Sequence, residues 1–214
     1  MKSIISLLEK RVKQLFENEG TGHDWHHIDR VRKIALHIQK EEGGDSQIIE
    51  IAALLHDISD HKFNGGDFEL GAITADKMLA TYAVDKGIRK QVVDIIKNVS
   101  YKGSGEEDRM NSLEGKIVQD ADRIDAIGAI GIARTFAYGG SIGQPIYDPA
   151  IPPKENQSVE SYVNERSHTV NHFYEKLLLL KDRMHTETGK IMAKERTEYM
   201  KRFLDQFYKE WKGQ

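Results

Sequence analysis

The sequence contains no cysteine. Disulfide frameworks, thiolate zinc sites and cysteine nucleophiles are therefore excluded. Neither sign of charge dominates: a formal net charge of −3 over 214 residues provides no general basic field for a nucleic-acid backbone. Attraction for phosphate must come from a few local lysines or arginines, or from a metal. No stretch approaches the roughly 18 apolar residues that a membrane span requires. The opening, MKSIISLLEKRVKQLF, is charged every few residues and cannot serve as the apolar core of a signal peptide. These absences lead to the expectation of a cytoplasmic protein, with neither a membrane nor a nucleic-acid polymer as partner. Proline is scarce as well, and all four prolines fall between Gly139 and Asn156.

What is present suits a soluble domain, with 39% hydrophobic and 30% charged residues. The length is enough to bury a core without staples. Apolar residues recur at helical spacing almost everywhere. Ile4, Ile5, Leu7, Leu8, Val12 and Phe16 form one stripe, which Gly20 to Gly22 stop. Asp24 is placed to cap a second helix carrying Val31, Ile34, Ala35 and Ile38, closed by Gly43 and Gly44. A third apolar helix runs from Ile48 into His56 and Asp57. A turn is expected over Asn64 to Asp67, with helices following from about Phe68 to Tyr82 and Lys86 to Val99. Lys102 to Asn111 reads as a loop. Helical pattern resumes near Leu113 and continues past Asp122 through Ala126, Ile130 and Ala133 to Phe136.

The proline-bearing stretch reads as an irregular lid or surface flap, about 139–157. Two final helices are expected, from about Val159 to Met184 and from about Thr188 to Trp211. No strand pattern or internal repeat is evident. The expected fold is all-α: a single-domain helical bundle over 1–214, with its core at about 23–136 and a C-terminal helical extension.

The chemistry-bearing residues are histidines and aspartates. His27 sits early in the second helix, His56 and Asp57 end an apolar one, and Asp122 follows Ile117, Val118 and Ala121. A histidine and an aspartate buried side by side are costly unless their charge and hydrogen-bonding needs are met. A divalent cation would meet both, and imidazole with carboxylate suits manganese, iron, nickel or zinc. Successive helix positions lie about 100° apart, so His56 and Asp57 can reach one ion wedged between helices. Alone, a His-Asp pair is an ordinary surface feature, and His27 an ordinary core histidine. Only the set points to a metal.

His-x-x-Arg-Val, then His-Asp on an apolar helix, then Ala-Asp-Arg-Ile-Asp on a later one, resembles the HD-domain superfamily of metal-dependent phosphohydrolases. The match spans His23 to about Phe136. Gly-His-Asp-Trp-His-His, His-Asp-Ile-Ser-Asp-His-Lys-Phe and His-Phe-Tyr-Glu-Lys-Leu extend it toward one bacterial subfamily of nucleotide pyrophosphohydrolases. The resemblance implies a ligand set of His27, His56, Asp57 and Asp122. It also implies hydrolysis of nucleoside triphosphates to monophosphate and pyrophosphate, with manganese. Mg2+, Ni2+, Fe2+ or Zn2+ are alternatives for the ion. Four protein ligands leave about two octahedral positions, one for water and one for a phosphate oxygen. Some HD families hold a second metal with further histidines. His61, His168, His172 and His185 do not have that spacing, so one ion is expected.

Around this set, Asp60 is a candidate to orient or deprotonate the attacking water and Lys62 to meet a phosphate. A cap and a solvated lysine explain them equally well. His23 lies about one turn before His27 and is a candidate for the same cavity, as are Lys102, His172 and Lys176 for substrate contact. His172 and Lys176 would share a face of the expected Val159–Met184 helix, which could equally be a solvated face over Phe173, Leu177 and Leu180. Arg30 and Arg123 read as organising ion pairs as readily as substrate contacts. Asp125 rivals Asp122 for the fourth position, and Tyr138 could stack on a base or belong to the core.

The expected partner is a small-molecule nucleotide, and the amphipathic termini leave a homodimer open. The same metal site would also serve a nucleoside monophosphate phosphatase or a cyclic-nucleotide phosphodiesterase. A non-catalytic nucleotide-binding regulator and a purely structural metal complete the alternatives.

Overall fold

The computed structural model describes residues 3–17, 24–58, 68–99, 109–154 and 167–214. Every regular element among these described residues is helical. The chain's contacts group into two compact units: Met1–Tyr101 with Asp108–Ala121, and Lys102–Glu107 with Asp122–Gln214.

The first unit holds α1 (Ile4–Leu15), α2 (Trp25–Glu42), α3 (Ser46–Leu55), α4 (Phe68–Thr81) and α5 (Lys86–Val99), with α6 (Leu113–Asp125) as far as Ala121. Its centre is α3. Ile48, Ile49, Ile51, Ala52, Ala53, Leu54 and Leu55 are all buried, and the helix lies against α1, α2 and α5. A helix that is apolar all round must be enclosed in this way. Replacing Leu54 by alanine would leave a cavity and cost about 2–5 kcal/mol.

The entry to α3 is fixed by local chemistry. Gly43 ends α2 at φ +83°, its N–H donating to Gln39 O at 2.8 Å, and Gly44 follows at φ +88°. Glycine takes this left-handed backbone without steric cost. Asp45 then caps α3, its Oδ1 accepting from Gln47 N at 2.8 Å and Ile48 N at 3.3 Å. Glu114 on α6 accepts the Asp45 N–H at 3.0 Å. Arg32 ties three helices together: its Nε donates to Glu50 on α3 at 2.8 Å, and its Nη1 to Glu9 on α1 at 3.1 Å. The buried Gln119 donates to the carbonyls of Asn98 and Val99, at 3.0 and 3.3 Å, meeting acceptors that the end of α5 leaves without helical partners.

The second unit continues from Asp122 with α7 (Gly128–Ser141), α8 (Asn171–Glu175), a 3-10 helix η1 (Leu177–Arg183) and α9 (Glu187–Trp211). Phe136, Phe173 and Phe203 meet in its core with ring centroids 5.9 to 6.0 Å apart. Thr186 caps α9 by accepting the Gly189 N–H at 3.0 Å.

Three sequence expectations change here. The helical pattern past Asp122 is broken: Ile127 is extended, with φ −124° and ψ 166°, and Gly128 stands at φ +79°. A Cβ at Gly128 would lie 3.0 Å from Arg196 Cγ, and Arg196 Nη1 donates to Ile124 O at 2.6 Å. The chain therefore turns where an arginine packs on bare backbone. Secondly, the expected Val159–Met184 helix is, in its described part, a five-residue helix and a 3-10 helix separated at Lys176, whose φ −142° and ψ −58° are not helical.

Thirdly, the stretch expected to be irregular from Gly139 begins inside α7, which runs to Ser141; from Ile142 to Lys154 it is irregular and tied down, and the rest lies outside the described residues. Pro145 O accepts Thr169 N–H at 2.9 Å, and Ile146 O accepts Val170 N–H at 3.1 Å. Ile151 O accepts from His168 Nε2 at 3.0 Å and Asn171 Nδ2 at 3.1 Å. Tyr147 sets its ring edge-on among Phe207, Tyr208 and Trp211. As far as Lys154, this stretch is held to residues 168–171 through the carbonyls of Pro145, Ile146 and Ile151.

Candidate metal centre

Two helices of the first unit bring the centre together. Asp24 caps α2 through its Oδ1, which accepts the His27 N–H at 2.8 Å. The N-cap bond thus anchors the backbone of the residue whose ring enters the interior, and that ring is fully buried. On α3, the apolar sequence drives the helix into the core and delivers His56, 5% exposed, as its C-cap residue. Asp57 follows at once.

The last carbonyls of a helix lack partners within it. Ala53 O, 2.9 Å from His56 Nδ1, accepts that ring N–H. In neutral imidazole this leaves the lone pair on Nε2. A ligating histidine is commonly oriented by such a bond from its other nitrogen.

The three side chains then converge. His27 Nε2 lies 3.2 Å from His56 Nε2 and 3.2 Å from Asp57 Oδ2, while His56 Nε2 lies 3.4 Å from the same oxygen. The rings stand edge to face, 67° apart. A lone pair and a carboxylate oxygen confront each other in a site from which water is largely excluded, an arrangement that requires positive charge. One proton on His27 Nε2 would have to be shared between two acceptors. A cation can serve all three atoms: the circle through them has a radius of about 1.9 Å, just under the roughly 2.1 Å of a zinc–nitrogen bond. The donor set, two imidazole nitrogens and a carboxylate oxygen, fits a divalent transition ion. Among the described residues this is the one cluster of three or more such side chains.

Comparison with known proteins accords with this geometry. Residues 24–127 match the HD domain family. Protein YpgQ of Bacillus subtilis is 37% identical over 203 residues, covering 94% of this chain and 91% of YpgQ. The chain belongs to the HD-domain family. A structure of YpgQ in complex with ADP superposes with a TM-score of 0.75, at 32% identity and covering 96% of this chain and 97% of that one. An HD-superfamily hydrolase from Bacillus thuringiensis has a TM-score of 0.78 and 45% identity, covering 98% and 97% of the two chains. A Lactobacillus plantarum protein reaches a TM-score of 0.85 at 36% identity over the whole of both chains.

His56 and Asp57 lie within the residues that match the HD domain, and His27 joins them in space. Asp122, the remaining expected ligand, is half-buried on α6 and belongs to the second unit. Its rival Asp125 is engaged elsewhere: its Oδ2 accepts from Arg134 Nη1 at 2.7 Å. Arg123 donates to the Arg183 carbonyl, an organising contact within the second unit. His168 is structural, with Nε2 on Ile151 O and Nδ1 accepting from Asn171 N at 3.2 Å.

His172 lies half-buried on α8, and Lys176 at the break that follows it. They are linked by a Lys176 N–H bond to His172 O at 3.1 Å, but the long helix expected to present them is absent among the described residues. Tyr138 is exposed on α7 and not core. His23, Asp60, Lys62 and Lys102 lie outside the described residues. The contributor that reading side chains missed is the Ala53 carbonyl. Its signal was His56 three residues beyond it, at a helix end.

Proposed function

We propose that this HD-domain protein is a metal-dependent phosphohydrolase that converts nucleoside or deoxynucleoside triphosphates to monophosphate and pyrophosphate. The observation that carries the reading is the convergence of His27, His56 and Asp57 on one buried point. The kinship with HD-superfamily hydrolases supports hydrolysis, and the ADP complex of YpgQ supports a nucleotide as substrate.

His27, His56 and Asp57 would hold a single divalent ion, manganese first among candidates, and the family resemblance adds Asp122 as a fourth ligand. When bound, such an ion lowers the pKa of water and offsets phosphate charge. The chain's own residues do the rest. Ala53 O fixes the His56 ring so that Nε2 points at the centre, and Asp24 fixes the turn that carries His27. Burial of both rings keeps bulk water from competing for the site. Asp60 is proposed to orient the attacking water and Lys62 to hold a phosphate oxygen, with His23, Lys102, His172 and Lys176 as substrate contacts.

Phosphorus NMR on metal-free protein, given manganese and a mixed panel of triphosphates, tests the proposal. Pyrophosphate should appear with manganese and be absent for Asp57→Ala. Orthophosphate or tripolyphosphate would show that a different bond is cut. Intact turnover in the variant would remove the site from the reaction.

A further inference from the structure

Asp122 opens the last turn of α6, and that turn stands at a break in the chain. A helix end leaves its final carbonyls without helical partners, and such turns fray. Here the chain leaves the helix through two short-range bonds, Ala126 N–H to Arg123 O at 3.2 Å and Ile127 N–H to Ile124 O at 3.3 Å. It then turns at the extended Ile127 and at Gly128.

Three arginines hold this turn, all from within the second unit. Arg134 of α7 pairs with the buried Asp125 at 2.7 Å, meeting the need of a buried carboxylate for a partner. Arg123 donates to Arg183 O at the end of η1. Arg196 of α9 grips the backbone itself, its Nη1 donating to Ile124 O at 2.6 Å. A cation there also complements the negative end of the helix. The same side chain covers the chain beyond the turn. A Cβ at Gly128 would lie 3.0 Å from Arg196 Cγ and 3.2 Å from its Cβ and Cδ, so the stem packs on bare backbone. One residue thus clamps the chain before and after the break.

A metal ligand must be held within about 0.5 Å of its working position, which a fraying turn cannot do. We propose that Arg196 is a positioning residue for the metal centre: from α9 it clamps the end of α6 and so fixes the carboxylate of Asp122. This role rests on Asp122 being the fourth ligand in the function proposed above.

Titrating metal-free protein with Mn2+, and reading the free ion by its electron paramagnetic resonance signal, tests this without any turnover. Arg196→Met removes the guanidinium donor and keeps an unbranched stem. It should weaken Mn2+ binding by about 10–100-fold, the range for groups that orient a ligand, while its circular dichroism stays that of the wild type. Asp122→Asn should also bind more weakly. Adding Arg196→Met to it should change the affinity no further, because the clamp then has no ligand to position. Where Arg196→Met does not fold, Gly128→Ala, whose methyl would press on the Arg196 stem, takes its place in the same cycle. Wild-type affinity in Arg196→Met, or the same loss with and without Asp122→Asn, overturns the inference. So does wild-type affinity in Asp122→Asn, which leaves the His27, His56 and Asp57 centre standing. Wild-type protein that binds no Mn2+ removes that centre, and the inference with it.

Discussion

Manganese added to metal-free protein should raise its melting temperature by about 5–10 °C, and Asp57→Asn should abolish most of that rise. The three ligand atoms already stand 3.2 to 3.4 Å apart, so binding requires no rearrangement of the helices that carry them. An unfolded chain offers no such cluster, so binding free energy becomes folding free energy. At a metal concentration of about 100 Kd the gain is about 2.7 kcal/mol. For a chain of this length each kcal/mol shifts Tm by about 2–4 °C, which gives the range stated. The amide that replaces the carboxylate in Asp57→Asn matches its shape but lacks the anionic oxygen. Outer contacts of metal sites change affinity by about 10–100-fold, so loss of a charged ligand is set here at about 100-fold. At the same metal concentration the variant is then half-saturated, gains about 0.4 kcal/mol, and melts only about 1–2 °C higher than without metal. Calorimetry with and without manganese reads both values. The exposed Asp182→Asn serves as a control that should retain the full rise. An equal rise in wild type and Asp57→Asn would mean that the metal binds elsewhere; no rise in the wild type would mean that a proton, not a metal, holds the cluster.

Gly128→Ala should cost about 1–3 kcal/mol in urea unfolding, because φ +79° is strained for any Cβ and the new methyl would lie 3.0 Å from Arg196 Cγ. Gln119→Leu should also cost about 1–3 kcal/mol, since it strips a donor from the Asn98 and Val99 carbonyls; the same assay checks it, and an unchanged midpoint would refute the capping role. The Lys13 hydrogen bond, opposed by burial and reinforced by Arg32, holds the Glu9 carboxyl below the ordinary glutamate value. A depressed folded-state pKa contributes stability that is present above the unfolded value of about 4.3 and is lost as pH falls through the folded value. Glu9→Gln should therefore flatten stability against pH below about 4.3, by only a fraction of a kcal/mol for so exposed a pair, and leave neutral-pH catalysis untouched.

Much of the first unit could be read from residue type alone. An apolar run with no polar face must be enclosed, and one that ends in His56-Asp57 must bring those groups into the core with it. Asp24 was legible as a cap because aspartate before a periodic helix has few other uses. The misreadings share a cause: hydrophobic spacing does not register backbone breaks. Ala126, Ile130 and Ala133 keep helical intervals across the turn at Ile127–Gly128, which exists because Arg196, 68 positions later, packs there. Leu177 and Leu180, three apart, suit a 3-10 helix as well as an α-helix, so the change of geometry at Lys176 left no trace in the pattern.

Charge accounts for why the proposed site needs more than its metal. Asp57 contributes one negative charge and the imidazoles none, so a divalent ion held by these three leaves a single positive charge at the centre. With Asp122 as fourth ligand, the centre is neutral. A nucleoside triphosphate carries several negative charges, and a chain of net charge −3 supplies no background field to attract it. Affinity must then come from individual cations near the centre, which is the role proposed for Lys62, Lys102 and Lys176. The division of labour is chemically sensible: a neutral, buried centre binds the reacting phosphate weakly in the ground state. An ion held there would act most strongly where charge shifts during the reaction. On this proposal the lysines would govern binding, and the His27, His56 and Asp57 cluster would govern the rate.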